Sequence, residues 1–404
     1  MRSMQLLGRG IVALALGIVV AVGVVLLRPG GSGLAGTPPP SAASAGPTAR
    51  ASQTPRPSAS RPSLSPSETP GASPSGPTLE QMIGQKLIIR MDGLTPSPDL
   101  LGRIGRGEVG GVILFGANIS TPAALASLTG ELQDAAAAGG QPRLIIAVDQ
   151  EGGSIRRVPW APPTLSAPEM GEGGDSTVAQ DQGTATGDAL RQLGINVDLA
   201  PVADVPGSSA SFMYKDKRTF SFDSAVTAQL ADAFATGLES AGVMPAMKHF
   251  PGLGLATKDT DTSVVTITAS TDELDPGLAP YRTAIGDGIP LIMLSNATYS
   301  AYDPDNAAGW SEAISNSLLR DELGFTGVTI TDSLTGTAKA RGLSPGALAV
   351  RAARAGTDLI LVSGSEAATR ATYATLVRSA TDGSISLETL ASSYDRILAL
   401  KAGL

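Results

Sequence analysis

The sequence predicts a parallel α/β fold closed as a (β/α)8 TIM barrel, a single catalytic domain. Three observations lead there. Eight short apolar runs alternate with segments of helical composition. Aromatic residues make up only 4% of the chain while glycine is abundant, as tightly packed α/β layers allow. Polar residues also gather directly after the apolar runs, where barrel active sites form. A doubly wound sheet is the competing arrangement, but no glycine-rich G-x-G-x-x-G turn follows the first run.

At 404 residues the chain has room for one large domain with accessories. A net charge of -8, with no dense Lys/Arg stripe, gives no reason to expect a nucleic-acid partner. The absence of cysteine excludes disulfides, thiolate metal sites and lipoprotein acylation. With one histidine, His249, the composition argues against a zinc site, and no metal or cofactor is expected.

Residues 1–28 read as an N-terminal transmembrane anchor or a signal peptide. Arg2 and Arg9 precede an uncharged apolar run, Gly10–Leu27, about long enough to cross a bilayer core. Gly33-Leu34-Ala35 supplies a small-x-small cleavage pattern for the second reading. Both readings export the remainder. Residues 29–77 form a Pro/Ser-rich linker: from Thr37 to Pro77 there are eleven prolines and ten serines. So little apolar surface cannot offset the entropy of ordering, so a disordered tether is expected there.

The barrel domain is expected over 78–404. Thr78 can cap a first helix, Leu79–Gln85, which leads into the run Lys86–Arg90. The further runs are Val109–Phe115, Leu144–Val148, Val197–Val205, Gly242–His249, Leu291–Ser295, Val328–Thr331 and Leu359–Val362. Helical composition marks Thr121–Ala138, Ser224–Ser240, Ser311–Leu323, Pro345–Ala355 and a closing Leu387–Ala402. If these runs are barrel strands, their C-terminal ends share one rim. Run three ends in Asp149-Gln150-Glu151-Gly152-Gly153 and run four near Asp204. Run five ends in Lys248-His249, run six in Asn296 and run seven in Asp332. A helix N-cap accounts for any one such Asp. It does not account for five strand ends together.

These stretches resemble the glycoside hydrolase family 3 barrels of the β-N-acetylhexosaminidase type. The resemblance runs from Leu79 to Leu404. Val148-Asp149-Gln150-Glu151-Gly152-Gly153 with Arg157 is similar to one signature of that family, and Lys248-His249-Phe250-Pro251-Gly252 to another. Gly324-Phe325-Thr326-Gly327-Val328, running into Thr331-Asp332-Ser333-Leu334, resembles the segment that carries the nucleophile. Shorter matches lie at Gly111–Phe115 with Asn118-Ile119, at Ala200-Pro201-Val202 with Asp204, and at Arg218-Thr219-Phe220.

The resemblance implies a carbohydrate substrate and a retaining glycosidase with Asp332 as nucleophile. It implies that Asp149, Arg157, Arg218, Lys248 and His249 bind the sugar. The chain departs from the family in the loop after run five, which reads Gly254-Leu255-Ala256-Thr257-Lys258-Asp259-Thr260-Asp261-Thr262. Asp259 falls on the family's Asp, but Asp261 stands where its catalytic histidine belongs. Two other family histidines are replaced by Leu253 and Asn296. A carboxylic acid can still protonate a glycosidic oxygen if its pKa is raised, and like charges at Asp259 and Asp332 push Asp261 that way. Asp261 is therefore the expected general acid/base, with Asp259 the alternative. A carboxylate there also repels phosphate, which favours water as the acceptor.

The expected function is an exported exo-β-N-acetylhexosaminidase acting on cell-wall-derived amino sugars. The alternatives are a catalytically impaired barrel that binds wall glycan, and a family 3 glycosidase of other sugar specificity.

Overall fold

The computed structural model describes residues 76–404. The expected anchor at 1–28, and the linker up to residue 75, lie outside the described residues. Among the described residues no helix is long and apolar enough to cross a membrane.

Eight parallel strands form the expected barrel. They are β1 (Leu87–Arg90), β2 (Gly111–Leu114), β3 (Ile145–Val148), β4 (Val197–Asp198), β5 (Met244–Phe250), β6 (Leu291–Leu294), β7 (Val328–Thr331) and β8 (Ile360–Val362). Their order around the sheet is β7-β6-β5-β4-β3-β2-β1-β8. A parallel bridge between Ile330 and Leu359 joins its two ends. Leu359 N donates to Thr329 O at 2.8 Å, and Thr331 N donates to Leu359 O at 3.0 Å, so the barrel is closed by backbone bonds.

Strand alternation divides the core. Leu87 and Ile89 face the helices, whereas Ile88 joins Ile113, Ile145, Leu291, Met293 and Leu361 in the barrel interior. Ile397 and Leu400, from the closing helix Leu387–Ala402, pack on that interior cluster. The first helix begins as the sequence predicts. Thr78 Oγ1 accepts from Gln81 N at 3.2 Å while Gln81 Oε1 accepts from Thr78 N at 3.0 Å, a reciprocal cap.

Two expectations need correction. The fourth run was expected to stay extended from Val197 to Val205, but β4 stops at Asp198. Pro201 has no N–H to give a ladder, and contact with β5 continues irregularly, through Ala246 N donating to Ala200 O at 3.0 Å and a bridge between Val202 and Lys248. The segment expected as an ordinary helix over Ser311–Leu323 is wound as a π-helix over Ala313–Glu322. The helix Thr271–Gly286 forms despite Pro276 and Pro280, held at its start by a reciprocal cap between Ser270 and Glu273.

A buried charge hub ties β1, β7, β8 and the closing helix together. Asp358 is fully buried. It accepts from Arg320 Nη2 at 2.7 Å, Arg396 Nη2 at 2.8 Å, Ser393 Oγ at 2.6 Å and Thr329 N at 3.0 Å. Lys86 Nζ donates to Ser393 Oγ at 2.7 Å. Burial pushes the Asp358 carboxyl up, but hydrogen bonding from Arg396 and the charges of Lys86, Arg396 and Arg320 bring it below the usual carboxylate range. A depressed carboxylate lends stability above its unfolded pKa, and that stability is lost as pH falls through the folded value. Asp358→Asn is therefore expected to lower unfolding free energy by about 3 kcal/mol at pH 7. Urea unfolding at pH 7 and at pH 3 should show the deficit shrinking at the lower pH.

Candidate active site

The rim residues of β3, β5 and β7, with the loop after β4, converge on one cavity of about 280 Å³ at the C-terminal end of the barrel. All eight residues expected to work there line it: Asp149, Arg157, Arg218, Lys248, His249, Asp259, Asp261 and Asp332.

The loop after β3 is set by Gln150. Its buried side chain accepts from Val158 N at 2.9 Å and donates to Val158 O at 3.0 Å and Pro162 O at 2.8 Å. That clamp folds Gln150–Gly152 back on Ile155–Arg156, and Gly152 makes the turn with φ +97°, where a side chain is strained. Asp149 and Glu151 are then held on either side of Gln150. Glu151 is 7% exposed and is the centre of the site's charge. It receives Arg218 through both Nε and Nη2 at 2.8 Å, and Lys248 Nζ lies 2.6 Å from Oε1. Lys248 Nζ also donates to Asp149 Oδ1 at 2.7 Å.

The charges fix the protonation states. Burial alone would raise the Glu151 pKa, but Arg218 and Lys248 hold it well below the usual carboxylate range. Burial works against the Lys248 ammonium, and Asp149 and Glu151 reverse the effect, so its pKa is raised. Arg218 is likewise held charged, burial being outweighed by Glu151. These ions form a fixed array of donors and acceptors on the cavity wall.

His249 is oriented from behind. Its Nδ1 lies 2.7 Å from Oδ2 of Asp204, which is fully buried. Asp204 Oδ1 also accepts from His249 N at 3.2 Å and Leu253 N at 2.6 Å. This pairing occupies Nδ1 and leaves Nε2 as the ring nitrogen available to a ligand. The irregular chain after β4 therefore has a purpose: it places Asp204 beneath the imidazole.

Asp332 follows β7, and its Oδ1 accepts from Ser333 N at 2.6 Å. Among the described residues no Lys or Arg is paired with it. Asp261 reaches the same cavity from the loop after β5, where its backbone N donates to Asp259 Oδ1 at 2.9 Å. Its pKa is raised to about 7, first by loss of water around the carboxyl, then by the charges of Asp332 and Asp259. By accessible area Asp261 is an exposed residue at the cavity mouth. Exposure weakens the contribution from lost water, but both like charges push the same way, so the upward direction holds. The sequence reading credited the charges alone; desolvation is the larger cause.

Arg157 lies over the Phe115 ring, 6.0 Å from its centroid, with Arg90 5.8 Å from the same centroid. At the two other positions where family histidines are replaced, Leu253 lines the cavity and Asn296 donates through Nδ2 to Ser333 O at 2.9 Å, bracing the turn after Asp332. Among the described residues no group of three or more His, Asp or Glu is arranged to hold a metal ion.

Three residues were not given roles from sequence. Glu151 was visible within a motif, yet its place at the centre of two ion pairs depends on a contact 67 residues away in the chain. Asp204 was noted at a strand end without its histidine. Asp198 looked like an ordinary strand residue. It is fully buried, accepts from Gln150 N at 2.9 Å, and burial pushes its carboxyl up to about 8.

A closed eight-stranded barrel with paired and unpaired carboxylates at its C-terminal rim defines a glycosidase-type site. The glycosyl hydrolase family 3 N-terminal domain matches residues 78–400, and the chain belongs to that family. It is a glycoside hydrolase acting on O-glycosyl bonds. An uncharacterized secreted glycosyl hydrolase of Arthroderma benhamiae is 36% identical over 329 residues, covering 80% of this chain and 92% of that protein. The structure of a β-N-acetylhexosaminidase from Beutenbergia cavernae superposes with a TM-score of 0.75 at 33% identity, covering 81% of this chain and 100% of that one. A family 3 β-N-acetylglucosaminidase from Paenibacillus sp. gives a TM-score of 0.77 at 34% identity, over 81% of this chain and 63% of that longer chain.

Because the Asp261 pKa is raised, ionising it costs the folded state stability. That cost is absent below the unfolded pKa, near 3.9, and complete above about 7. Asp261→Asn is thus expected to melt higher than the wild type at pH 8 and at the same temperature at pH 3. Thermal melts at the two pH values check this.

Proposed function

We propose that this protein is an exported, retaining exo-β-N-acetylhexosaminidase acting on cell-wall-derived amino sugars. The observation that carries the mechanism is the meeting of two carboxyls with different surroundings in one cavity. Asp332 has no cationic partner among the described residues, while Asp261 is held near neutrality in part by the Asp332 charge. In this reading Asp332 attacks, and Asp261, its pKa raised to about 7, gives the proton.

In the first step an Asp332 oxygen bonds to the anomeric carbon as the glycosidic C–O bond breaks. The Asp261 proton goes to the departing oxygen. In the second step water attacks the same carbon, its proton returns to Asp261, and the bond to Asp332 breaks. Configuration is retained because inversion occurs twice. Asp149, Lys248, His249, Arg218 and Arg157 orient the ring through hydroxyl and acetamido oxygens. Arg218 spends Nε and Nη2 on Glu151, and Nη1, which donates to Met213 Sδ at 3.5 Å, keeps a second N–H for the sugar. Asp259 holds the Asp261 backbone and adds the second like charge.

The sugar preference is supported by the names of the two solved relatives, a β-N-acetylhexosaminidase and a β-N-acetylglucosaminidase. Exo action is supported by cavity size: about 280 Å³ lies just below the range for small-ligand pockets, about 300–1,000 Å³, and suits one terminal ring. Export is supported by the apolar run at Gly10–Leu27 and by a relative named as secreted. The boundary between linker and catalytic domain at residue 78 is supported by the family match, which starts there, and by the Thr78 cap.

Two substrates separate the roles. A dinitrophenyl N-acetyl-β-glucosaminide needs no proton on its leaving group, whereas chitobiose does. Asp332→Asn is expected to abolish cleavage of both. Asp261→Asn should still release a burst of about one dinitrophenolate per site on the activated substrate, but lose chitobiose cleavage by about 10²–10⁴-fold. Equal loss on both substrates would remove Asp261 from the acid role. A wild-type protein that binds chitobiose and cleaves neither substrate would be a glycan-binding barrel instead.

A further inference from the structure

Asp261 is carried by a long loop, yet proton transfer needs its carboxyl at a set distance from Asp332. Something must hold the loop there. The helix Leu334–Ala340 starts two residues after Asp332, with Ser333 as its N-cap and Gly336 in its first turn. A Cβ at Gly336 would fall 2.6 Å from the carbonyl oxygen of Asp261, 2.9 Å from its Cβ and 3.0 Å from its Cα. Two of those three atoms are backbone, so no change of side-chain rotamer relieves the contact. The loop itself would have to move.

Nothing else at this position asks for glycine. Its backbone is not among the left-handed glycines, and an ordinary helical residue would fit the dihedral angles. Glycine inside a helix is also about 0.8–1.0 kcal/mol less favourable than alanine. We infer that Gly336 is a positioning residue: its missing side chain lets the Asp261 loop rest directly on the first turn of the nucleophile's helix, and so sets the spacing of Asp261 and Asp332. The inference rests on the reading of Asp261 as the acid. Retaining glycosidases hold their two carboxyls about 5–5.5 Å apart, and a 1 Å misplacement can cost about a hundredfold in rate.

The test uses the full chain with Gly336→Ala, Asp261→Asn and the double variant, assayed on chitobiose and on the dinitrophenyl glycoside. Gly336→Ala is expected to lower kcat on chitobiose at least tenfold with little change in KM. The phenolate burst should fall by less than about threefold, because that step needs no acid. In the Asp261→Asn background the same change should cost chitobiose cleavage nothing further, since it acts only through Asp261. The alkaline limb of the Gly336→Ala pH profile should also move to lower pH, as Asp261 draws away from Asp332. Lys339→Ala, exposed on the same helix, is the control for general helix damage.

Wild-type behaviour of Gly336→Ala overturns the inference. So does an equal loss on both substrates that persists without the Asp261 carboxyl. If Asp261→Asn itself fails to separate the substrates, the acid assignment falls and this inference falls with it. If Asp261→Asn separates them and Gly336→Ala does not, only the inference falls. Should Gly336→Ala melt below the assay temperature, melting becomes the readout. Greater recovery on adding Asp261→Gly than on adding Asp261→Asn, which keeps the Cβ, sustains the contact, and equal recovery overturns it.

Discussion

The site depends on the ion pairs that converge on Glu151. Four charges, Asp149, Glu151, Arg218 and Lys248, come from three different segments of the barrel rim and meet in a few ångströms. Lys248 is 2% exposed and Glu151 7%, so neither can rely on water. An unpaired charge at that depth costs several kcal/mol, which makes the array all-or-none. Either every partner is present, or the rim rearranges. The loop after β3, the loop after β4 and the end of β5 are therefore locked together before any sugar arrives.

That locked array also explains how so many carboxylates in and around one small site avoid mutual repulsion. Asp149 and Glu151 are neutralised by cations, and Asp204 is committed to His249. Asp198 is pushed toward its neutral form by burial. Asp332, Asp259 and Asp261 remain at the mouth, where no described cation pairs with them. Loss of water around the Asp261 carboxyl, with the like charges of Asp332 and Asp259, drives it toward holding a proton. The same kind of side chain thus meets different surroundings in one site, and in the proposed mechanism these suit it to serve as structural anion, nucleophile or acid. The proposed mechanism needs no histidine acid, and the one histidine is paired through Nδ1 with Asp204.

Much of this was legible in the sequence because period and position carry strong physical signals. Apolar runs such as Leu144–Val148 and Val328–Thr331 could only be buried strands, and Asp149 and Asp332 directly after them had to reach the rim. The Lys248-His249 pair was visible for the same reason. What failed depended on contacts between distant segments. The early end of β4 follows from Pro201 and from the pull of Asp204 toward His249, neither of which local periodicity encodes. The hub role of Glu151 required knowing that Arg218 returns to it across the rim. Gly336 carries no motif at all; its meaning appears only when Asp261 is seen lying against it.

The central claim is that Asp332 forms a covalent bond to the sugar while Asp261 manages the proton. The most direct measurement is trapping with a 5-fluoro N-acetylglucosaminyl fluoride, followed by protease digestion and peptide mass spectrometry. The account predicts one added glycosyl group per chain, on the peptide holding Thr331-Asp332-Ser333, and the same labelling in Asp261→Asn when the fluoride is the leaving group. Labelling at Asp261 or Asp259, or no label from a protein whose first-formed product has the inverted configuration, would contradict it.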